Sequence, residues 1–218
     1  MKQTILDFPY HNDYNLEDFV VSAVNEQAFN IINDWPAKWG VGTYKNSLIL
    51  CGEEKSGKTH LSHIWQQKAG AVFLKPDDNI TSKLASNNAF IIEDIDKYLW
   101  QEDLLLHIFN IVHSAEKYLL ITSKLPVKFL AINLRDLASR LKAVLDIKIL
   151  MPDEDMIRMI IIKHFSQRSL NISPELLHYI ANRISRNFSD IFDVIKKIDE
   201  LSLVQKRNIT IPLVRNIL

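Results

Sequence analysis

Short apolar runs rich in Ile, Leu, Val and Phe alternate with amphipathic stretches along the first two thirds of the chain. Buried strands of a parallel sheet read as continuous apolar runs, and the helices that join them have apolar residues at three- and four-residue spacing. The predicted strands are Ser47–Cys51, Ala71–Leu74, Ala89–Glu93, Tyr118–Ser123 and Leu145–Leu150. The predicted helices between them are Lys58–Lys68, Gln101–Ser114 and about 133–141. The pattern therefore predicts an α/β core.

The pattern changes from Pro152 onward, where amphipathic helices follow one another without a convincing strand. Three helix starts are marked by residue types that cap helices well, namely Asp153, Ser173 and Thr210. A further helix is predicted near Phe188–Leu201, with an apolar face formed by Phe188, Ile191, Phe192, Ile195 and Ile198. The last part of the chain is thus predicted to be an all-helical unit of about four helices.

Composition and charge exclude several classes of function. The 218 residues contain 26 Lys and Arg and 26 Asp and Glu, so DNA contact through an overall basic field is excluded. Cys51 is the only cysteine, which excludes a disulfide framework and a cysteine-rich metal site. The apolar runs are shorter than the roughly 18 residues of a membrane-spanning helix, and the N-terminus does not resemble a secretory signal. We expect a cytoplasmic protein without a membrane span.

Residues 52–59 match the pattern G-x-x-x-x-G-K-[ST] between a predicted strand and a predicted helix. In this context backbone N–H groups surround phosphate oxygens at a helix N-terminus, Lys58 reaches the β- and γ-phosphates, and Thr59 binds Mg²⁺. The predicted nucleotide-binding residues are Gly52, Ser56, Gly57, Lys58, Thr59 and His60. The predicted cofactors are ADP or ATP with Mg²⁺, and the alternative is an ordinary turn that matches the pattern by chance.

A second acidic element follows the apolar run Phe90–Ile92, which leads directly into Glu93 and Asp94. A phosphate-binding fold of this kind needs an acidic strand end that holds Mg²⁺ and orients water. Glu93 is therefore a predicted Mg²⁺ ligand and Asp94 a predicted catalytic residue. The alternative is a solvated strand end without a role in catalysis.

These motifs resemble the DnaA/Hda family of AAA+ proteins over nearly the whole chain. The segments that resemble the AAA+ domain of the bacterial initiator DnaA are Tyr14–Val21, Gly52–His63, Ile91–Asp96 and Ile121–Ser123. Asp136–Leu141 and Gln205–Pro212 are more similar to the short, Hda-like members that inactivate the initiator. The resemblance implies a P-loop AAA+ parallel-sheet core at residues 10–151 and an all-helical lid at 152–218, preceded by a peptide at residues 1–9.

The resemblance also implies two partners. Arg140 matches the position of the family's arginine finger, which stabilises charge on a nucleotide held by a neighbouring subunit, here the initiator DnaA. The alternative is a surface arginine paired with Asp136, four residues earlier on the same helix. Gln3, Leu6 and Phe8 resemble the Q-x-x-L-x-F peptide that docks replication proteins on the sliding clamp. The alternative for Leu6 and Phe8 is packing on the core.

Departures from the family pattern weaken the expectation of ATPase activity by the chain itself. Glu93 stands where the family usually has Asp, and Lys124 stands where the initiator has an acidic residue. Ser189 falls where the lid arginine is expected, with Arg186 as a possible substitute. We expect weak or absent self-hydrolysis and a bound nucleotide that holds the lid on the core.

The resemblance therefore implies a regulator that binds adenine nucleotide and the sliding clamp and stimulates hydrolysis of DnaA-bound ATP. The chain ends at Leu218, where the lid is expected to end, so we expect no helix-turn-helix domain and DNA contact only through the clamp. Association of several copies is compatible with this interpretation. The alternatives are a degenerate P-loop adaptor or helicase-loader-like protein that stimulates no hydrolysis, and a P-loop kinase.

Overall fold

The computed structural model describes residues 14–40, 42–76, 79–97, 99–168, 170–205, 209–215 and 217–218. The predicted clamp-binding residues Gln3, Leu6 and Phe8 lie outside these ranges. Within these ranges, no helix has both the length and the apolar character that a membrane span requires.

The described core is built on one parallel sheet. Its strands are β1 (Ser47–Cys51), β2 (Val72–Phe73), β3 (Ala89–Ile92), β4 (Tyr118–Ser123) and β5 (Leu145–Lys148), in the spatial order β2-β3-β4-β1-β5. All the pairings are parallel. The predicted α/β class is confirmed. Three predicted strands were too long: β2 runs only from Val72 to Phe73, β3 ends at Ile92 and β5 ends at Lys148.

Helices cover both faces of this sheet. In the core they are α1 (Glu26–Asn33), α2 (Lys58–Ala69), α3 (Ile80–Ser86), α4 (Glu102–Ser114) and α5 (Arg135–Ala143). The sequence pattern predicted α2, α4 and α5 to within two residues and did not predict α1 or α3. Side chains alternate along β1, so that Leu48 and Leu50 join the apolar cluster on one face of the sheet and Ile49 joins the cluster on the other. The sheet is therefore buried on both faces.

In its described residues the C-terminal region contains helices joined by short connections and no strand. Its helices are α6 (Glu154–Gln167), α7 (Pro174–Ala181), α8 (Phe188–Gln205) and α9 (Ile211–Val214). Asp153 and Ser173 cap α6 and α7 as predicted, accepting hydrogen bonds from Met156 N at 2.8 Å and Leu176 N at 3.3 Å. Thr210 precedes α9 but makes no side-chain cap bond.

The apolar face of α8 belongs to a buried cluster that extends from the lid into the core. Phe188, Ile191, Ile195 and Ile198 are buried in the same apolar cluster as Leu48 and Leu50 of the sheet, and Phe192 is partly buried against it. An ion pair between Lys55 and Asp193 places the first part of α8 beside the loop that follows β1. The carboxyl ends of β1, β3 and β4, the loop after β1 and the start of α8 therefore surround one region, which contains the candidate site.

Candidate nucleotide-binding site

The loop that contains the predicted phosphate-binding motif, residues 52–59, joins β1 to α2 and includes two residues with positive φ. Gly57 directly precedes α2 and has a φ of 96°, and Lys55 has a φ of 61°. A Cβ atom at Gly57 would lie 2.8 Å from Cε2 of Phe19. Both the backbone angle and the close approach of the aromatic ring therefore demand glycine at this position.

Lys58 directs its ammonium group back toward this loop. Its Nζ atom donates hydrogen bonds to the carbonyl oxygens of Gly52 and Glu53, at 2.8 and 2.7 Å, and the residue is only 6% exposed. Burial lowers the pKa of the Lys58 ammonium, and the nearby carboxylates of Asp94 and Asp96 partly oppose that shift. The loop thus holds a buried cation whose partners are neutral carbonyls, which is an arrangement suited to binding a phosphate anion.

The two hydroxyl residues near Lys58, Ser56 and Thr59, differ in their exposure to solvent. Thr59 is exposed in the first turn of α2, where a hydroxyl group is accessible to a metal ion. The Oγ atom of Ser56 is buried and has no hydrogen-bond partner among the described residues. A Cβ atom at Gly52 would lie 2.8 Å from that Oγ atom, so the loop packs tightly here.

The strand end at Glu93 and Asp94 lies at the same edge of the sheet as the loop. Glu93 Oε1 is buried without a hydrogen-bond partner among the described residues, which fits a carboxylate oxygen available to a cation. Asp94 has a φ of 49°, its backbone N–H donates to Thr122 Oγ1 at 2.8 Å, and its carboxylate pairs with Lys97 at 2.6 Å. Glu93 is therefore the less engaged of the two predicted acids.

Magnesium would depend on few protein ligands at this edge. In the part of the chain that the structure describes, no three His, Cys, Asp or Glu side chains converge on a point. The predicted ligands Thr59 and Glu93 carry a hydroxyl and a carboxylate group, and such oxygen donors are the kind that Mg²⁺ prefers. Such a small ligand set is usual for Mg²⁺ bound together with nucleotide phosphates, because phosphate oxygens and water complete its coordination.

Asp96 is a residue of this edge that the sequence analysis did not single out. Its Oδ1 atom accepts hydrogen bonds from the backbone N–H of Lys124 at 2.9 Å and from Ser123 Oγ at 3.4 Å. The carboxylate therefore ties the end of β3 to the end of β4. The side chain of Lys124, which the resemblance places at an acidic position of the initiator, is exposed.

His60 contacts the segment that precedes α1. Its Nε2 atom lies 2.9 Å from the carbonyl oxygen of Asn15, and the rings of Tyr14 and Phe19 pack edge-on against its ring, each with centroids 5.3 Å away. Burial lowers the pKa of the His60 imidazole. His60, a predicted nucleotide-binding residue, therefore packs against aromatic residues beside the loop, and its Nε2 atom contacts the protein backbone.

The lid reaches the same loop through α8. Lys55 Nζ and Asp193 Oδ1 form an ion pair of 2.7 Å, although the two residues are 138 positions apart. Ser189 precedes Asp193 by one helical turn, and Arg186 is exposed before α8 begins. A second ion pair joins Lys163 of α6 to Asp18, at 3.3 Å. No local sequence signal marks either pair.

Arg140 lies on α5 and is engaged by its own helix. Its Nε and Nη2 atoms donate to the two carboxylate oxygens of Asp136, each at 3.0 Å, and 22% of the side chain is exposed. These bonds to Asp136 raise the pKa of the guanidinium, with a smaller contribution from Tyr44. This ion pair is the one expected if Arg140 is a surface arginine paired with Asp136 on the same helix. It also holds the planar group in a defined orientation at the surface.

Known proteins match the chain along its length. A family model described as "Hda, lid domain" matches residues 153–218. The chromosomal replication initiator DnaA of Buchnera aphidicola is 25% identical over 243 residues, which cover 99% of this chain and 55% of that protein. The DnaA of Lachnoclostridium phytofermentans is 25% identical over 228 residues, which cover 91% and 49%. The chain thus spans about half the length of these relatives.

Solved structures share the fold. Domain III of the Thermotoga maritima replication initiation protein DnaA has a TM-score of 0.80 at 20% identity, covering 97% of this chain and 98% of that chain. AMPPCP-bound DnaA from Aquifex aeolicus has a TM-score of 0.71 at 21% identity, covering 86% and 65%. A variant of Thermotoga maritima RuvB has a TM-score of 0.65 at 14% identity, covering 94% and 70%. The predicted AAA+ architecture is confirmed.

Proposed function

Because the chain belongs to the DnaA/Hda family of AAA+ proteins, we propose that it binds adenine nucleotide and stimulates hydrolysis of ATP held by the initiator DnaA. The observation that supports this most strongly is the place of Arg140. Its guanidinium contacts Asp136 and Tyr44 rather than the phosphate-binding loop, and it is partly exposed. A cation in that position is suited to a nucleotide on another subunit.

The chain's own nucleotide has a structural role in this proposal. Lys58 and the backbone of the loop hold the phosphates of ADP or ATP, while Thr59 and Glu93 hold Mg²⁺. The ion pair between Lys55 and Asp193 joins the loop to the lid, so the nucleotide and the lid stabilise each other. AMPPCP-bound DnaA is among the structures of the same fold, which supports adenine as the base.

Hydrolysis in the chain's own site is weak in this proposal. Asp94 is the residue that would orient water there, but its carboxylate is paired with Lys97. Lys124 and Ser189 stand where the initiator-like pattern has groups that assist hydrolysis. The lasting presence of nucleotide then keeps the lid on the core.

Attachment to the sliding clamp completes the proposal. Gln3, Leu6 and Phe8 supply one hydrogen-bonding side chain and two apolar anchors near the N-terminus. Docking on clamp that encircles DNA brings the protein to DNA in the cytoplasm without a basic surface of its own. Formal charges of 26 Lys and Arg against 26 Asp and Glu agree with this indirect contact.

A second candidate is an adaptor, related to helicase loaders, that binds DnaA or clamp without stimulating hydrolysis. The two bonds between Arg140 and Asp136 favour it, because they satisfy the guanidinium within its own helix. For an adaptor, Arg140 is a surface residue and its removal is neutral.

The proposal is tested with radiolabelled ATP bound in advance to purified DnaA, in the presence of clamp loaded on DNA. The expected result is faster hydrolysis when the protein and ADP are added, with no acceleration when clamp is omitted. Q3A/L6A/F8A, which removes the three docking side chains, is expected to abolish the effect of clamp. An unchanged rate with either ADP or ATP contradicts the proposal and leaves the adaptor.

A further inference from the structure

A buried carboxylate lies between two helices that the nucleotide-binding site does not use. Glu102 is the first residue of α4 and is only 8% exposed. A buried carboxylate is costly unless hydrogen bonds or opposite charges surround it. The partners of Glu102 therefore indicate what it does.

All of those partners belong to the start of α5. The backbone N–H of Asn133 lies 2.8 and 3.1 Å from the two carboxylate oxygens of Glu102, and the backbone N–H of Leu134 lies 2.6 Å from Oε2. The side-chain amide of Asn133 adds a contact of 3.3 Å. These hydrogen bonds, first those from the backbone, lower the pKa of the Glu102 carboxyl, so that it remains an anion.

The start of α5 has no capping side chain of its own. Leu134 occupies the N-cap position, where Ser, Thr, Asp or Asn usually supplies an oxygen acceptor. Glu102, from the neighbouring helix, instead accepts from the backbone N–H groups of this N-cap residue and of Asn133 before it, and so anchors the backbone that enters α5. Its negative charge also interacts favourably with the positive end of the α5 dipole.

Arg140 depends on the same short helix. Asp136, which orients the guanidinium, lies in the first turn of α5, two residues after Leu134. Helix α5 has nine residues, so Arg140 is about 9 Å along the axis from the N-cap. Displacement of the first turn would therefore displace both Asp136 and Arg140.

We propose that Glu102 is a positioning residue that fixes the start of α5 and thereby the orientation of Arg140. Only the expected effect of Glu102 on hydrolysis of DnaA-bound ATP rests on the function proposed above. The structural part of the proposal, that Glu102 holds the two backbone amides and so the guanidinium, is independent of any partner.

The test compares E102Q with D103N in the full chain. E102Q preserves size but removes the charge and turns an amide group toward two N–H donors. D103N makes the same change of charge at the next residue, which is exposed. Three measurements are made: hydrogen exchange of the amides in residues 133–140, the NMR signal of Arg140 Nε, and the stimulated hydrolysis of DnaA-bound ATP. Binding of ADP with Mg²⁺ reports whether each variant is folded.

E102Q is expected to speed exchange at the start of α5, to shift the Arg140 Nε signal, and to reduce stimulated hydrolysis about ten- to a hundredfold with ADP binding retained. D103N is expected to match the wild type in all three. If wild-type protein stimulates hydrolysis and E102Q does so equally well, the positioning role is wrong while the proposed function stands.

If wild-type protein does not stimulate hydrolysis, the proposed function fails. Amide hydrogen exchange in residues 133–140 and the NMR signal of Arg140 Nε still test whether Glu102 holds the start of α5 and the guanidinium. Wild-type protein also provides a test that needs no variant to fold. Rapid exchange of the Asn133 and Leu134 amides in the wild type would overturn the inference, since both would then lack the bonds to Glu102.

Discussion

The Nζ atom of Lys58 lies 2.8 Å from the carbonyl oxygen of Gly52, six residues earlier in the same loop. The loop therefore holds its buried cation in place through its own backbone. Preorganisation of this kind reduces the ordering cost of binding an anion.

Removal of this cation is expected to weaken nucleotide binding. K58A loses a charge-assisted contact worth about 1.5–3 kcal/mol, so the Kd for ADP with Mg²⁺ is expected to rise about 10- to 100-fold. Titration calorimetry measures the change. The matched control is K55A, which removes an exposed loop cation paired with Asp193 and is expected to cost less than about 1 kcal/mol. Equal losses in the two variants would contradict a phosphate-binding role for Lys58.

Alanine substitutions at Gly57 and Gly70 separate two effects on the free energy of unfolding, that of the backbone angle and that of close packing. Both glycines have positive φ, 96° and 61°, but only a Cβ at Gly57 meets another atom, Cε2 of Phe19. Phe19 stacks on Phe29 and packs against His60, which restrict its movement. G57A is expected to lower the free energy of unfolding by about 2–4 kcal/mol and G70A by about 1–2 kcal/mol, as measured by urea denaturation. Equal effects would show that the contact with Phe19 adds nothing.

His164 in the lid predicts a pH dependence of stability. Burial, together with the charge of Arg168, lowers the pKa of His164 from 6.5 to about 4. The unfolded chain therefore binds the proton first, so stability is fully present above pH 6.5 and is lost as pH falls toward 4. Relative to H164Q, wild-type protein is expected to lose about 1–2 kcal/mol between pH 7 and 4, after allowance for solvent screening.

Denaturant unfolding at several pH values measures this loss. H107Q changes an exposed histidine of α4 and is expected to follow the wild-type curve. If the free energy of unfolding falls equally with pH in wild-type protein and H164Q, the folded lid tolerates the charged imidazolium.

Local patterns explain which parts of the fold the sequence predicted. Strands such as β4 are continuous apolar runs because both faces of the sheet are covered, and the phosphate-binding loop is a contiguous motif. Helix α3 has only seven residues and was not predicted, because so short a segment has little periodicity to detect. Strand order also could not be predicted, since it depends on the crossovers rather than on any one run.

Long-range contacts explain what the sequence did not predict in the site. The ion pair of Lys55 with Asp193 and the hydrogen bond that the Leu134 N–H donates to Glu102 join residues far apart in the chain. No spacing rule connects such residues, because the packing of whole helices brings them together. The role of Arg140 as an arginine finger was predicted from the family resemblance alone. Its paired hydrogen bonds to Asp136 could be predicted from the sequence, because residues four positions apart lie side by side on a helix.

Single-turnover hydrolysis of ATP held by DnaA shows whether Arg140 acts on that ATP. R140A is expected to reduce the stimulated rate about 10³-fold or to the level of DnaA alone, and R140K, which keeps the charge but not the planar fork, is expected to recover little of it. R135A, an exposed arginine at the start of α5, is the matched control and is expected to retain the rate. Full stimulation by R140A would show that Arg140 does not act on ATP held by DnaA.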